Sequence, residues 1–315
     1  MIADSTRLDA YVAALEATVR PGAVVIDVGT GTGILALVAC RLGASRVYGV
    51  DNNHAIEVAR ELARENGFAD RIELSRQDVR SVALPERGDV VVADLRGAMP
   101  MAGASLAAVA HVRENLLAPG GVLIPKQDRL FGAVVESPSF YERAVGRLAA
   151  GGVTLVAMRS RLANTVYFDR ARSIQPCDLL TPAALWASID YSTVVPKTIH
   201  GRAEWCSARD GVGHGLLLWF DALLAEGCEF STRPGAVNVV YPQVFLPWTE
   251  PVGLRQGETV EASLWASHDG KAWSWNTVVR GQMRREPLAF KQSSFLAELT
   301  RPGGPGAGAS QVDSP

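Results

Sequence analysis

The sequence is poor in the features that mark several large protein classes. Its four cysteines, Cys40, Cys177, Cys206 and Cys228, are widely spaced, and none lies in a Cys-x-x-Cys or Cys/His cluster. Neither a zinc site nor a disulfide framework is indicated, so each is expected to be a small buried hydrophobe. No Lys/Arg run occurs and the net charge is -2, so the footprint of a nucleic-acid binder is missing. No apolar run reaches the roughly 18 residues needed to span a membrane. The N-terminus lacks a basic and apolar signal pattern, which leaves a cytoplasmic location as the expectation. His54, His111, His200, His214 and His268 are scattered; none is assigned as a base, and no metal site is expected. What remains, 48% hydrophobic and 20% charged over 315 residues, is ordinary for a soluble globular enzyme of about two domains.

One stretch organises the chain. Val24-Val25-Ile26-Asp27-Val28 is an apolar run ending around an acid, and Gly29-Thr30-Gly31-Thr32-Gly33 follows before a helical pattern. This reads as a parallel strand, a tight turn and a helix N-terminus, with glycines letting a ligand approach the backbone. Eighteen residues after Gly33, a second apolar strand ends in Asp51, where an acid can hold both hydroxyls of a ribose. Gly31-x-Gly33-x-x-Ala36 loosely fits a dinucleotide fingerprint. The spacing Asp27-x-Gly29-x-Gly31-x-Gly33 resembles motif I of class I S-adenosylmethionine-dependent methyltransferases. The methyltransferase reading is preferred; a nicotinamide oxidoreductase stays as an alternative.

The first half alternates helix and strand. Residues 4–19 read as a helix with Leu8, Tyr11, Val12 and Leu15 on one face; from spacing alone Arg7 points elsewhere and reads as solvated. Helices follow over 34–42, 55–66 and 103–116, and strands over 71–74, 89–93 and 122–125. Gly29, Asp51, Asp78 and Asp94 then stand at the ends of four successive strands, where ligands bind in open parallel sheets. Past residue 127 the strands alternate apolar and polar at period two, over 130–136, 212–222 and 226–231. Thr259–Ala266 and Trp273–Val279 flank the turn signal His268-Asp269-Gly270-Lys271. Trp205, Trp219, Trp265, Trp273 and Trp275 read as core and rim, and His214 as structural. Residues 302–314 are Gly/Pro/Ser-rich and read as disordered.

This layout resembles the protein arginine methyltransferases. The residues that carry the resemblance are Met1-Ile2-Ala3-Asp4-Ser5-Thr6-Arg7, Leu116 through Pro125, His214-Gly215-Leu216 to Phe220, Phe230-Ser231-Thr232, Gln243-Val244-Phe245 and Leu254 to Glu258. The resemblance implies an α/β fold: a Rossmann-like class I methyltransferase sheet over 1–127, then an antiparallel β-barrel substrate domain over 128–290. A dimerisation arm is inserted at 141–185, and 291–315 is a C-terminal segment. It implies S-adenosyl-L-methionine as cofactor, S-adenosyl-L-homocysteine as product, and a homodimer through the arm. Leu155, Val156, Leu162, Val166, Tyr167 and Phe168 would be the arm's exposed apolar surface. Cofactor contacts are expected from Arg7, to the carboxylate, and from Asp27, Gly29, Gly31, Gly33, Asp51 and Asn52. Gln77, Asp78 and Val79 stand where the adenine is met.

Two departures bear on the substrate. Members of that family carry two glutamates after the fourth strand; here Asp94 stands at the first position and Ala98–Ala104 holds no acid. Val239-Val240-Tyr241-Pro242 replaces their Thr-His-Trp loop. A guanidinium offers five donors, and one carboxylate is a weak clamp for it. Asp94 is placed to accept from an N–H or O–H nucleophile; its other role is a helix N-cap or a loop ion pair. Arg96 is a solvated loop cation or a contact to a carboxylate on the substrate, and Tyr241 and Gln243 face the substrate side or pack the barrel. The expected activity is N- or O-methylation of a small molecule, amino acid or peptide. The alternatives are true arginine or guanidine methylation, and a non-catalytic cofactor-binding subunit.

Overall fold

The computed structural model describes residues 4–146, 149–150, 152–237, 239–281 and 284–295. Residues 1–3 of the N-terminal pattern and the segment 302–314 lie outside the described residues. Contacts divide the chain into two units. One takes Met1–Leu130, Ser188–Lys197 and Trp219–Tyr241; the other takes Phe131–Ala187, Thr198–Leu218 and Pro242–Pro315.

In the first unit, strands β1 (Val24–Val28), β2 (Arg46–Asp51), β3 (Ile72–Arg76), β4 (Gly88–Ala93) and β5 (Leu117–Ile124) form a parallel sheet in the order β3-β2-β1-β4-β5. Val25, Ile26, Val90, Val91 and Val92 are buried, as a sheet covered on both faces requires. Helices α1 (Ser5–Thr18), α2 (Ile34–Arg41), α3 (Ile56–Glu65) and α4 (Ser105–Asn115) alternate with the strands. Strand order reverses between β1 and β4, which opens a crevice at their carboxyl ends. α1 is rotated from its expected orientation: Arg7, Tyr11, Ala14 and Leu15 are its buried residues, while Leu8 and Val12 are half-buried. An arginine takes a buried position there because carboxylates meet it. β5 starts earlier than expected, and its pairing to β4 shifts register between Gly88 and Val90.

The second half of the chain contributes β6 (Gln127–Val135), α5 (Pro138–Tyr141), β7 (Ala149–Ala150), β8 (Val153–Thr154), α6 (Arg159–Ala163), β9 (Tyr167–Asp169) and β10 (Ala184–Asp190). There follow β11 (Ile199–Cys206), β12 (Gly211–Ala225), β13 (Cys228–Ser231), β14 (Gln243–Leu254), β15 (Thr259–Ala266), β16 (Trp273–Arg280) and β17 (Leu288–Ser293). Two antiparallel sheets run in the orders β10-β6-β12-β14-β9 and β11-β15-β16-β17. The expected hairpin is β15 against β16, and β16 alternates buried and outward residues along its length.

Two expectations are corrected here. Of the six residues expected to form the arm's exposed apolar surface, Val156 and Phe168 are exposed, while Leu155, Leu162, Val166 and Tyr167 are half-buried. Tyr141, Ala144, Val145, Ala163 and Ile174 join a core cluster with Leu217 and Phe245, Leu162 and Tyr167 pack against it, and β9 pairs with β14. Among the described residues of the segment, the exposed large apolar side chains are Val153, Val156, Met158, Phe168 and Leu185. Of the cysteines only Cys40 is buried; Cys177 and Cys206 are exposed and Cys228 is intermediate. His214 is structural as expected: it is buried and its Nδ1 accepts from the Ser137 amide at 3.3 Å.

Candidate cofactor and acceptor site

Two adjoining clefts open at the carboxyl ends of β1, β2 and β4, within the first unit. One, of about 220 Å³, is lined among others by Gly29, Asp51, Asn52, Gln77, Asp78 and Val79. The other, of about 550 Å³, is lined among others by Arg7, Asp27, Gly31, Asp51, Asp94 and Arg96. Gly29, Asp51, Asn52 and Leu95 line both. The turn between β1 and α2 is built for close approach. Gly29 has φ 73°, and a Cβ on it would lie 2.6 Å from Leu95 Cδ2. Gly33 has φ 79°, and a Cβ there would meet the Ala59 Cβ at 2.8 Å.

Asp27 sits under this turn and shapes it. Its Oδ2 accepts from Thr30 Oγ1 at 2.6 Å and from the Ala36 amide at 3.1 Å. Burial pushes its carboxyl up to about 7, although both hydrogen bonds favour the charged form. Asp51 accepts from the Gly31 and Asn53 amides, each at 2.8 Å, one on each oxygen. A carboxylate has about four acceptor positions, so Asp51 keeps capacity for a pair of hydroxyls. Asp78 is held near 2 by its hydrogen bonds to Arg80.

At the end of β4 the site becomes a buried charge network. Asp94 Oδ2 accepts from Arg7 Nη1 at 2.5 Å. Its Oδ1 accepts from the Tyr241 hydroxyl at 2.6 Å and from the Tyr11 hydroxyl at 3.2 Å. Arg96 Nη1 donates to the Tyr11 oxygen at 2.5 Å, which polarises that phenol toward Asp94. Burial raises the Tyr11, Tyr191 and Tyr241 phenols well above their usual range, so all three stay neutral donors. Asp4 ties the network to its backbone: its Oδ1 caps α1 by accepting from the Arg7 amide at 3.0 Å, and its Oδ2 accepts from the Val240 amide at 2.8 Å.

Arg96 lines the larger cleft but is not the solvated loop cation of its first expected role. Its side chain is 2% exposed and forks onto Asp128, with Nε and Nη2 each 2.8 Å from a carboxylate oxygen. Tyr191 donates to the same carboxylate at 2.6 Å, and the Phe220 and Phe230 rings lie 5.8 and 5.7 Å from the guanidinium. Burial is the largest influence and opposes the Arg96 charge, but Asp128 together with the Tyr11 and Tyr191 oxygens outweighs it and the guanidinium stays protonated. Gln243 is fully buried at the start of β14, in the second unit. Asp128, Tyr191, Asp4 and the role of Tyr11 were not singled out from sequence. The Asp4-x-x-Arg7-x-x-x-Tyr11 spacing was a usable signal, since it places all three on one helical face. Nothing local marks Asp128 or Tyr191, which meet Arg96 only in the fold.

Comparisons with known proteins agree with this geometry. The family model described as ribosomal protein L11 methyltransferase (PrmA) matches residues 6–133. An arginine N(omega)-methyltransferase of Streptomyces achromogenes subsp. streptozoticus is 28% identical over 84% of this chain and 74% of its own length. Protein arginine N-methyltransferase 1 of Dictyostelium discoideum is 26% identical over 84% of this chain and 79% of its own. The chain is an S-adenosylmethionine-dependent methyltransferase.

Its fold matches that of the Trypanosoma brucei PRMT1 enzyme-prozyme heterotetrameric complex with AdoHcy, with a TM-score of 0.83 at 22% identity over 93% of this chain and 96% of that one. The methyltransferase's cofactor is S-adenosylmethionine, and the clefts fit such a ligand: a glycine turn that a Cβ would fill, and an acid with free acceptor capacity at the end of β2. Among the described residues no cluster of metal-ligating side chains occurs, and no helix is long and apolar enough to cross a membrane.

Proposed function

We propose that this methyltransferase methylates a guanidine nitrogen of arginine, free or in a peptide, with Asp94 as the carboxylate that receives the acceptor. The observation that carries this reading is the position of Asp94. It lines the larger cleft at the end of β4, beside Arg7, in a chain whose long relatives are named arginine methyltransferases. When bound, the cofactor supplies an electrophilic methyl on a sulfonium. The chain has to hold the acceptor nitrogen in line with it and exclude water. Asp94 orients an N–H donor; Arg7 faces the cofactor's carboxylate; Asp51 and Asn52 face the ribose; Gln77, Asp78 and Val79 face the adenine. Asp27, Gly29, Gly31 and Gly33 shape the turn. Residues 1–127 then serve as the cofactor domain and 128–290 as the substrate domain, with Tyr241 at the acceptor end.

A second reading is favoured by one observation. Between Asp94 and Ala104 the chain holds a single acid, so an amine or hydroxyl of a small molecule is matched as well as a guanidinium. Incubation with S-adenosylmethionine and, separately, arginine, an arginine-containing peptide and a panel of small amines tests both by mass spectrometry. The first reading expects methylated arginine in one of the first two mixtures; methylation confined to the amines overturns it. We propose a homodimer as well, formed through 141–185, where Val153, Val156, Met158 and Phe168 are exposed.

A further inference from the structure

Tyr241 lies in the segment after β13 that runs back over the first turn of α1. The segment is pinned twice: Thr6 Oγ1 donates to the Val237 carbonyl at 2.9 Å, and the Val240 amide donates to Asp4 Oδ2. Its ring is stacked on Phe230 at 6.3 Å and tilted on Phe220 at 5.6 Å. The phenol is therefore held against Asp94 rather than free to swing.

The consequence is read from the acceptor positions on Asp94. A carboxylate offers about two per oxygen. On Oδ1, Tyr241 at 2.6 Å and Tyr11 at 3.2 Å take both, with Arg96 Nη1 as a longer third contact at 3.5 Å; on Oδ2, Arg7 takes one. A single acceptor position is left, on Oδ2. A guanidinium fork needs one on each oxygen, whereas an amine or one guanidine N–H needs one in all.

We propose that Tyr241 is a specificity-determining residue: by occupying Oδ1 it makes Asp94 a one-point acceptor and withholds the forked clamp that favours guanidino over amino acceptors. This rests on the reading of Asp94 as the acceptor carboxylate. Tyr241→Phe keeps the ring packing and removes the hydroxyl that donates to Oδ1. Oδ1 then keeps only its two longer contacts, from Tyr11 at 3.2 Å and Arg96 at 3.5 Å, so a forked donor can displace them and engage both oxygens.

The experiment is calorimetric titration of arginine and of ornithine into the protein saturated with S-adenosylhomocysteine, for wild type, Tyr241→Phe and Asp94→Asn. The ratio of arginine to ornithine affinity should rise about tenfold in Tyr241→Phe, one charge-assisted bond's worth. Asp94→Asn should weaken both ligands. If Asp94→Asn weakens both while Tyr241→Phe leaves the ratio unchanged, the specificity role is wrong and the Asp94 reading stands. If Asp94→Asn changes neither ligand, or neither binds any of the three proteins, the Asp94 reading fails and takes this one with it.

Discussion

Replacing Arg96 by alanine would leave the Asp128 carboxylate fully buried with the Tyr191 hydroxyl as its remaining donor. Removing one partner of a buried ion pair costs about 3–5 kcal/mol. Arg96→Ala should therefore show a large loss in urea denaturation. A variant of unchanged stability with a raised Michaelis constant would instead return Arg96 to substrate contact. Asp27 makes a pH-dependent contribution of known sign. Its carboxyl stands at about 7 in the fold against a reference of 3.8, so it favours the folded state below about pH 4. That contribution is lost as pH rises through 7, and three units correspond to about 4 kcal/mol. Between pH 5 and 8 the wild type should lose stability relative to Asp27→Asn, measured by denaturation midpoints at both pH values. Parallel pH dependence in the two proteins would contradict the assignment.

At the scale of elements, α1 joins the sheet's carboxyl edge to the segment that carries Tyr241. Asp4 performs both tasks, as N-cap and as acceptor for the Val240 amide. Asp4→Ala should cost about 1–2 kcal/mol for the cap alone. It should also weaken S-adenosylhomocysteine binding, because Arg7 loses the carboxylate on its Nε. Equal stability and equal affinity would show that α1 does not set the site. The parallel strands were legible because buried strands are near-continuous apolar runs, and the glycine turn because its φ values tolerate little else. The rotation of α1 was missed, although the polar spacing Asp4-x-x-Arg7-x-x-x-Tyr11 carried a signal for it. A pattern of apolar residues placed Leu8 and Val12 inside, but Arg7 with Asp4 and Asp94 was a better-satisfied buried group. For the same reason Arg96 could not be placed: Asp128 lies 32 positions on and carries no local pattern.

For the whole molecule, the dimer proposal predicts a mass of twice the chain by light scattering at micromolar concentration. Met158→Glu with Phe168→Glu should shift it to monomer; an active wild-type monomer would remove the proposal. The arm illustrates the limit of composition. Its apolar residues were visible, but which of them turn inward is decided by β9 pairing with β14 and by the cluster around Tyr141. The account as a whole stands on the cofactor site at the carboxyl ends of β1, β2 and β4. Calorimetry with S-adenosylhomocysteine against wild type and Asp51→Ala tests it most directly. Wild type should bind one ligand per chain, and Asp51→Ala should bind about tenfold or more weakly, the effect of leaving two ribose hydroxyls without their acceptor. A wild type that does not bind, or an Asp51→Ala that binds as tightly as wild type, would contradict it.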